Sequence, residues 1–284
     1  LYGDGEVCMG QRDIPTITPN SSSVDVLYGR DAGWVRQTAM NKDRTLKNWA
    51  DWLLESGTAT VDTRIGVVYA DVPEDTPLVQ DVFVPYLREI GFRNVEVAVL
   101  NLSDVDGAIA SAGRVANRLA ATDVELVLPV AGNILFSLVL GELANIGFQP
   151  RFSASDFGSL ARDDVGYYPA EQWAGTVGIT SALTGAVLVD GVPDTDAAQE
   201  CLAAYTADGR TIARDVSDPS RADAIEVGMM LLACQQVARF TDAARRAGPN
   251  PTGASLLAAV DDTGLWTHRV TTTAPRRFLV ADEV

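Results

Sequence analysis

The sequence is short of the side chains that most often perform catalysis. It contains one histidine, His268, and three cysteines, Cys8, Cys201 and Cys234, among 284 residues. A Ser-His-Asp site would have to be built around that single histidine, in a polar stretch near the C-terminus. No Gly-x-Ser-x-Gly elbow occurs, and the cysteines lack the spacing of a zinc site. We therefore predict that the chain is not an enzyme of these classes and that it holds no metal.

Positive charge is also scarce. The chain has 22 lysines and arginines against 38 aspartates and glutamates, which gives a formal net charge of −16. Binding to phosphate-rich surfaces needs a basic face, so this balance disfavours nucleic acid and anionic membranes as partners. No apolar run approaches the roughly 20 residues that span a bilayer.

A phosphate-binding loop is missing as well. The first strand-like run, 64–69, is followed by the acidic segment 70–75, which would repel a pyrophosphate. A phosphoacceptor domain would need an aspartate after the third run, where the chain has Pro129, Val130 and Ala131. A small α/β enzyme of the flavodoxin or Rossmann type remains one alternative, but it would require a cofactor, and we predict none.

The segment 64–156 organises the chain. Four apolar, β-branched runs are typical of strands that are buried on both faces, and they lie at 64–69, 94–100, 124–130 and 149–154. Apolar residues at helical spacing fill the gaps between them, which predicts a parallel sheet covered by helices on both faces. Ligands bind beyond the carboxyl ends of such strands. We therefore expect the functional residues in the loops that begin at Tyr69, Asn101, Ala131 and Ser155.

Three local features refine this prediction. Pro85 lies inside the apolar stripe 78–90, where it must kink the helix or mark a later start. A capping box at 103–106 predicts a helix whose inward residues include Ile109, Val115, Ala116 and Leu119. Asn133 is a plausible N-cap for a helix over 134–146. Outside this segment we predict short strands at 14–18, 175–180 and 278–281, and helices at 46–53, 196–205, 222–247 and 252–260.

Cys201 and Cys234 fall in two neighbouring predicted helices. A disulfide between them and a pair of buried free thiols are both compatible with the sequence.

Four stretches resemble the type I periplasmic binding proteins, in particular the leucine/isoleucine/valine-binding group of ABC-transporter receptors. Residues 14–22 resemble the strand and loop "I-P-x-I-S-P-x-A-T", and 34–38 resemble the "F-x-R-T" entry to the second lobe. Residues 64–69 resemble the opening strand of that lobe, and 124–156 resemble its strand–helix–strand with "A-x-x-x-G-F".

The resemblance implies an α/β protein of two lobes, each a parallel sheet with helices on both faces, that closes on a ligand by hinge motion. Lobe one would comprise 1–35 and 177–262 and would be incomplete at its N-terminal side, and lobe two would comprise 36–176 and 263–284. Segments 29–36 and 175–180 would be crossovers between the lobes, with Gly178 as a candidate hinge. A strand glycine that allows close packing is the alternative interpretation of Gly178.

The resemblance also implies a ligand site. Asn20, Ser21 and Ser22 correspond to the loop that binds a ligand carboxylate, although a solvated turn or a helix cap has the same composition. Asp156 corresponds to the acid that pairs with a ligand ammonium, and an exposed capping aspartate is the alternative. Asn133 replaces a ligand-stacking tyrosine, and Glu74 lies where the family often has Tyr-Gly.

These features predict the extracytoplasmic solute-binding component of an ABC importer. Its partners would be a small polar ligand, with an amino acid or related amine first, and a membrane permease. Because the chain begins at Leu1, we expect an N-terminus that was processed or trimmed, as by removal of a signal peptide. A ligand-sensing domain of a receptor or regulator with the same fold is the other alternative.

Overall fold

The computed structural model describes residues 8–18, 34–37, 40–102, 105–155, 170–179, 195–207, 209, 222–262 and 277–279. The chain divides into two compact units. Unit 1 comprises Leu1–Lys42 and Ser181–Pro275, and unit 2 comprises Asp43–Thr180 and Arg276–Val284.

Unit 2 is built on a six-stranded sheet. Its strands are β3 (Ile65–Ala70), β4 (Val95–Leu100), β5 (Leu126–Val130), β6 (Arg151–Ala154), β7 (Val177–Ile179) and β8 (Arg277–Leu279). They lie in the order β4-β3-β5-β6-β7-β8, and every neighbouring pair up to β7 is parallel. The four apolar runs of the sequence therefore form the predicted parallel strands, within one or two residues of the predicted bounds. The prediction that all four are buried on both faces was wrong for β4, which lies at the edge of the sheet and exposes Val99.

The last strand departs from the expectation of a purely parallel sheet. β8 pairs antiparallel with β7 and lies at the edge. An antiparallel edge strand on an otherwise parallel sheet is common in α/β folds. The strand content of 277–279 was visible in the sequence, but its direction was not.

Helices cover both faces of this sheet, as predicted. They are α1 (Lys42–Glu55), the short α2 (Asp75–Pro77), a π-helical segment (Leu78–Phe83), α3 (Val84–Glu89), α4 (Val105–Ala121), α5 (Asn133–Asn145) and α6 (Ala170–Trp173). Alternate strand residues face opposite ways, so Val67 and Tyr69 pack with α1 and the π-helical segment, whereas Val68 packs with α4 and α5. Trp49 of α1 is fully buried, and its indole N–H donates to Ser153 Oγ of β6 at 2.9 Å.

Pro85 lies inside a continuous helical run, 75–89, and a π-helical segment directly precedes the α-helical turns that contain it. The π-helical segment ends at Phe83, and Pro85 is the second residue of α3, so the wider turns lie directly before the residue that has no N–H to donate. The predicted stripe is confirmed, since Leu78, Val79, Phe83 and Leu87 are buried.

The prediction for α4 was wrong at one position. Val115, Ala116 and Leu119 are buried, but Ile109 is 50% exposed. The buried face of this helix starts from Ala108 and continues through Ser111 and Ala112, at spacings of three and four. Ile109 lies one residue, or about 100°, off that face. Part of the predicted capping box, 103–104, lies outside the described residues.

The N-cap of α5 also differs from the prediction. The cap is Gly132, with φ −60° and ψ 150°, and Asn133 is the first helical residue. The helix starts immediately after β5 because only Ala131 and Gly132 separate the two elements.

Unit 1 has, in its described part, a helical turn at 8–10, a parallel pair of strands and three longer helices. The strands are β1 (Thr16–Thr18) and β2 (Val35–Gln37), and the helices are α7 (Asp196–Thr206), α8 (Ala222–Ala247) and α9 (Gly253–Asp261). β2 was not among the strands predicted from the sequence. Residue 253 must be glycine, because a Cβ there would lie 2.8 Å from the Trp34 ring and 3.2 Å from Pro15.

A disulfide joins two helices of unit 1. Cys201 of α7 and Cys234 of α8 are bonded, with their Cα atoms 6.1 Å apart. Of the two alternatives that the sequence left open, the structure has the disulfide. Cys8 is a free, exposed thiol. No helix in the described ranges combines the length and the apolar character needed to cross a membrane.

Candidate ligand-binding site

The carboxyl edge of the unit 2 sheet is where the fold concentrates loops after parallel strands. Tyr69 pairs with Val130 of β5 and Ala70 pairs with Leu100 of β4, so the first three strands end at one level. The following loops therefore meet at one edge of the sheet, which is the place where ligands bind in parallel α/β sheets.

The loop after β3 is held at both ends. The Asp71 backbone N–H donates to the Leu100 carbonyl at 2.8 Å, which fixes the first loop residue to the neighbouring strand. Thr76 Oγ1 donates to Asp71 Oδ1 at 3.1 Å, and the Thr76 N–H donates to the Val72 carbonyl at 3.1 Å. These bonds close the loop around Glu74, which is half-buried.

A second contact fixes the helix that follows this loop. Tyr69 is 1% exposed, and its hydroxyl accepts a hydrogen bond from Gln80 Nε2 at 2.6 Å. Gln80 lies in the π-helical segment, and the Val84 N–H donates to Val79, five residues back. The last residues of β3 and the first helical turns after the loop are thus bonded at two points.

The other two loops are short. After β4, the Asn101 N–H donates to the buried Ser111 Oγ at 3.1 Å, which in turn donates to the Ala108 carbonyl at 2.8 Å. After β5, α5 begins with no side-chain cap at Gly132. The first backbone N–H groups of α5 therefore face the carboxyl edge without a capping side chain.

The opposite, amino edge of the same sheet carries paired charges. Arg64 contacts Asp123 at 2.7 Å and Glu125 at 3.1 Å. Arg93 contacts Asp62 at 2.9 Å. Further along this edge Arg118 pairs with Glu96, and Arg151 donates to the Thr58 carbonyl at 3.0 Å. Cations and anions alternate here, so the amino edge presents little net charge to a ligand.

The carboxyl edge has acids and no described cation. Asp71 and Glu74 lie in the first loop, and Asp75 and Asp106 lie in the first turns of the helices that follow. No lysine or arginine occurs at 71–74, 101–102, 131–132 or 155. A cation within about 4 Å of one such carboxylate gains on the order of 1–4 kcal/mol, and an anion loses a similar amount. Among the described residues, the formal charge of this edge is therefore negative.

The structure brings together some of the predicted site residues. Glu74 and the backbone of Asn133 follow the adjacent strands β3 and β5 at the carboxyl edge. Asn20, Ser21, Ser22 and Asp156 lie outside the described residues, as does His268. The sequence analysis did not predict the Thr76–Asp71 hydrogen bond of the first loop.

Unit 1 contains a separate charged cluster. Arg36 of β2 and Asp261 of α9 form a two-point ion pair, with Nε–Oδ1 at 2.5 Å and Nη2–Oδ2 at 2.7 Å. The Arg36 hydrogen bond holds the pKa of Asp261 below its usual value, and burial lowers the pKa of nearby Arg239. An open groove of about 280 Å³ runs beside the pair, along Trp34 and Leu257. Because Nε and Nη2 of Arg36 both donate to the Asp261 carboxylate, we assign the pair a structural role.

A metal centre has no support in the part of the chain that the structure describes. No group of three or more histidine, cysteine, aspartate or glutamate side chains converges there.

Comparison with known proteins identifies the fold. No protein-family profile matches the chain, and no curated protein sequence matches it. A leucine-binding protein of Thermotoga maritima superposes with a TM-score of 0.64 at 15% identity, over 90% of this chain and 63% of that one. A type 1 periplasmic binding protein of Bordetella pertussis gives 0.64 at 15%, over 94% and 68%. An ABC-transporter solute-binding protein of Rhodopseudomonas palustris, in complex with p-hydroxybenzoic acid, gives 0.63 at 12%, over 89% and 61%.

The chain therefore has the fold of the type I periplasmic binding proteins. It spans less than two thirds of the length of the leucine-binding protein. The predicted fold class and the resemblance seen in the sequence are confirmed.

Proposed function

We propose that this chain belongs to the solute-binding component of an ABC importer and that it binds a small ligand with an ammonium group. The observation that carries the proposal is the carboxyl edge of unit 2, which has acids at Asp71 and Glu74 and no described cation. The fold supports it, since solved proteins of this fold are named as binding proteins and transporter components. The proposed role is binding without chemistry on the ligand.

The charge of the edge separates two ligand classes. Neighbours of this fold include a leucine-binding protein and a protein in complex with p-hydroxybenzoic acid. An aromatic acid of this kind has no ammonium group; its phenol hydroxyl can donate a hydrogen bond, but its carboxylate would be repelled by the acids at Asp71 and Glu74. An amino acid can direct its ammonium to this edge and its carboxylate elsewhere. We propose that the uncharged loop Asn20, Ser21 and Ser22 binds that carboxylate.

Asp156 and Asn133 complete the proposed residue set. Asp156 would be the direct partner of the ammonium, because a buried charge without a counter-charge costs several kcal/mol. Asn133 would contact the ligand in place of an aromatic side chain, which favours a ligand with a polar group near that position.

The disulfide supports an extracytoplasmic location. Disulfides persist in the periplasm and outside the cell, whereas cytosolic thiols are kept reduced. Cys201 is 5% exposed, so the Cys201–Cys234 bond belongs to the packed interior of unit 1. We propose a membrane permease as the partner, because solved proteins of this fold are named as components of ABC transporters.

A thermal-shift screen of the full 284-residue chain tests the proposal. A ligand that binds the folded state alone stabilises it by about 2.7 kcal/mol at a hundred times its Kd. We expect amino acids or amines to raise the Tm and 4-hydroxybenzoate to have no effect. A shift with 4-hydroxybenzoate and none with any ammonium compound would contradict the proposed ligand class. A signalling or DNA-binding domain encoded in the same reading frame would favour the sensor alternative.

A further inference from the structure

The two outer strands of the unit 2 sheet differ in length and charge. β8 has three residues and begins with an arginine, whereas β4 has six residues, with the sequence VEVAVL. Proteins protect outer strands against pairing with other chains by short length, by lysine or proline, or by bulges. β4 has no lysine or proline and pairs with β3 without a bulge, and its single charge, Glu96, pairs with Arg118. β4 is therefore a long outer strand without these protective features.

Backbone donors and acceptors of β4 point away from the sheet. The first residue of β3, Ile65, donates its N–H to the Asn94 carbonyl at 2.8 Å. Because the N–H and C=O of one residue point to the same side and the sides alternate along a strand, the even-numbered residues of β4 face β3. Among the described strands, β3 is the one neighbour of β4. The outward backbone groups belong to Val95, Val97 and Val99.

The side chains of the same three valines lie on one face of the sheet. Val95 and Val97 pack against the apolar cluster that contains α1 and the π-helical segment. Val99, two residues further on, lies on the same face and is 39% exposed. The outer side of β4 thus combines a row of β-branched side chains with available backbone donors and acceptors.

Antiparallel pairing with a second copy of β4 matches these groups to one another. A two-fold axis at Val97 places Val97 opposite its own copy and Val95 opposite Val99 of the partner subunit. In this register the outward-facing valines are the residues that exchange both backbone hydrogen bonds. Valine also lies beside valine across the new strand pair, and such β-branched pairs stabilise a sheet. Glu96 would lie opposite Ala98 of the partner subunit, so the two glutamates do not oppose each other.

We infer that β4 is a self-association surface, through which two copies of this chain pair antiparallel about a two-fold axis at Val97. The pairing joins two six-stranded sheets into one continuous sheet. This surface uses no residue of the proposed ligand site, so it holds or fails independently of the proposed function.

Sedimentation velocity of the full chain at increasing concentration tests the inference, and we expect a monomer–dimer equilibrium. Val99→Lys adds the kind of charge that protects outer strands and should raise the dimer Kd by about tenfold or more. Ile146→Lys is the matched control, because Ile146 is 42% exposed and its replacement changes the net charge equally. Ile146 ends α5, which connects β5 to β6, so this variant should keep the wild-type Kd.

The salt dependence gives a second readout. Each copy has a formal net charge of −16, so two copies repel each other, and salt screens that repulsion. Because the paired strands contribute backbone hydrogen bonds and valine contacts, the dimer should tighten as sodium chloride is added. A dimer that weakens with salt would indicate an interface of ion pairs and would overturn the inference.

Cysteine variants test the register. In a Cys8→Ser background, Val97→Cys places two thiols opposite each other, on strands whose Cα atoms lie about 5.5 Å apart, which suits a disulfide. Oxidised glutathione should therefore link Val97→Cys into a covalent dimer. Val99→Cys would face Val95 of the partner subunit and should stay unlinked. Linkage of Val99→Cys without linkage of Val97→Cys would show that the register is wrong.

Two other outcomes would overturn the surface itself. The first is a chain that stays monomeric at every concentration, and the second is a dimer that Val99→Lys leaves as tight as Ile146→Lys does. Circular dichroism of each variant establishes that it is folded. The thermal-shift screen for ligands is read separately, so a monomeric chain that binds an amino acid would contradict this inference and leave the proposed function standing.

Discussion

Removal of the Cys201–Cys234 disulfide is the perturbation whose size follows most directly from the structure. The bond joins α7 to α8 inside an apolar cluster of the described residues, in which Ala198, Cys201 and Leu202 pack with Val227, Met230 and Leu231. The covalent link also restricts the unfolded chain, and the size of that effect follows from the length of the loop that it closes.

The sequence separation of the two cysteines sets the magnitude. The bond closes a loop of 33 residues. In the chain-entropy account, a loop of that length restricts the unfolded chain enough to stabilise the fold by about 3.7 kcal/mol at 25 °C. We therefore expect the double variant Cys201→Ala, Cys234→Ala to lose about 3–4 kcal/mol of unfolding free energy.

Urea unfolding followed by circular dichroism, with and without a reductant, measures this loss. The reductant should destabilise the wild-type chain and leave the double variant unchanged. Cys8→Ser is the control, because Cys8 is exposed and unpaired, and it should match the wild type. Hydrogen exchange should show the lost protection first in α7.

A loss below about 1 kcal/mol would refute this reasoning, since it would mean that the unfolded chain is already compact enough to make the link redundant. A loss spread evenly over both units would also refute it, because both cysteines lie in unit 1.

Three further predictions follow from single contacts. Gly253→Ala should destabilise the chain by roughly 1–3 kcal/mol, because the new Cβ would lie 2.8 Å from the Trp34 ring. This loss should exceed the gain from the better helix propensity of alanine. Thermal unfolding measures the change in stability, and a gain in Tm would contradict the packing. Gly66→Ala should cost a similar amount, about 1–3 kcal/mol, because its Cβ would lie 2.6 Å from Leu119 Cδ2. Asp261→Asn should cost about 0.5–1 kcal/mol at pH 7, since its side chain is 53% exposed and the pair with Arg36 is partly screened. The folded-state pKa of Asp261 is lowered, so its contribution is present above the unfolded pKa and is lost as the pH falls through the folded one. Wild type and Asp261→Asn should thus converge in acid, and a gap that widens there would contradict the assignment.

Much of unit 2 could be predicted because its strands are apolar on both faces. The runs at 65–70 and 126–130 are buried at every position. Strands buried on both faces are rich in Val, Ile and Leu throughout, so they can be recognised from the sequence without knowing which strands lie beside them. The stripe that includes Leu78, Phe83 and Leu87 was equally visible, since helical spacing is a local property.

Features that depend on partners far along the chain could not be read in this way. Ile109 has the same apolar chemistry as its buried neighbours, but it lies one residue off the face of α4 that packs in the core. β2 is a three-residue strand with an arginine at its centre, and it exists because β1 pairs with it and Asp261, 225 residues away, pairs with Arg36. Cys201 and Cys234 could have been free thiols until packing brought α7 and α8 together.

For the candidate site, too, the sequence determined one part and the tertiary structure determined another. The sequence by itself determined that acids at 71–75 follow the first buried strand, because strand and loop are contiguous. Only the tertiary structure decided that these acids share an edge with no described cation while Arg64, Arg93 and Arg118 pair with acids at the other edge. The physical reason is that parallel strands sort their loops to opposite ends of the sheet, and this sorting separates charges that alternate along the chain.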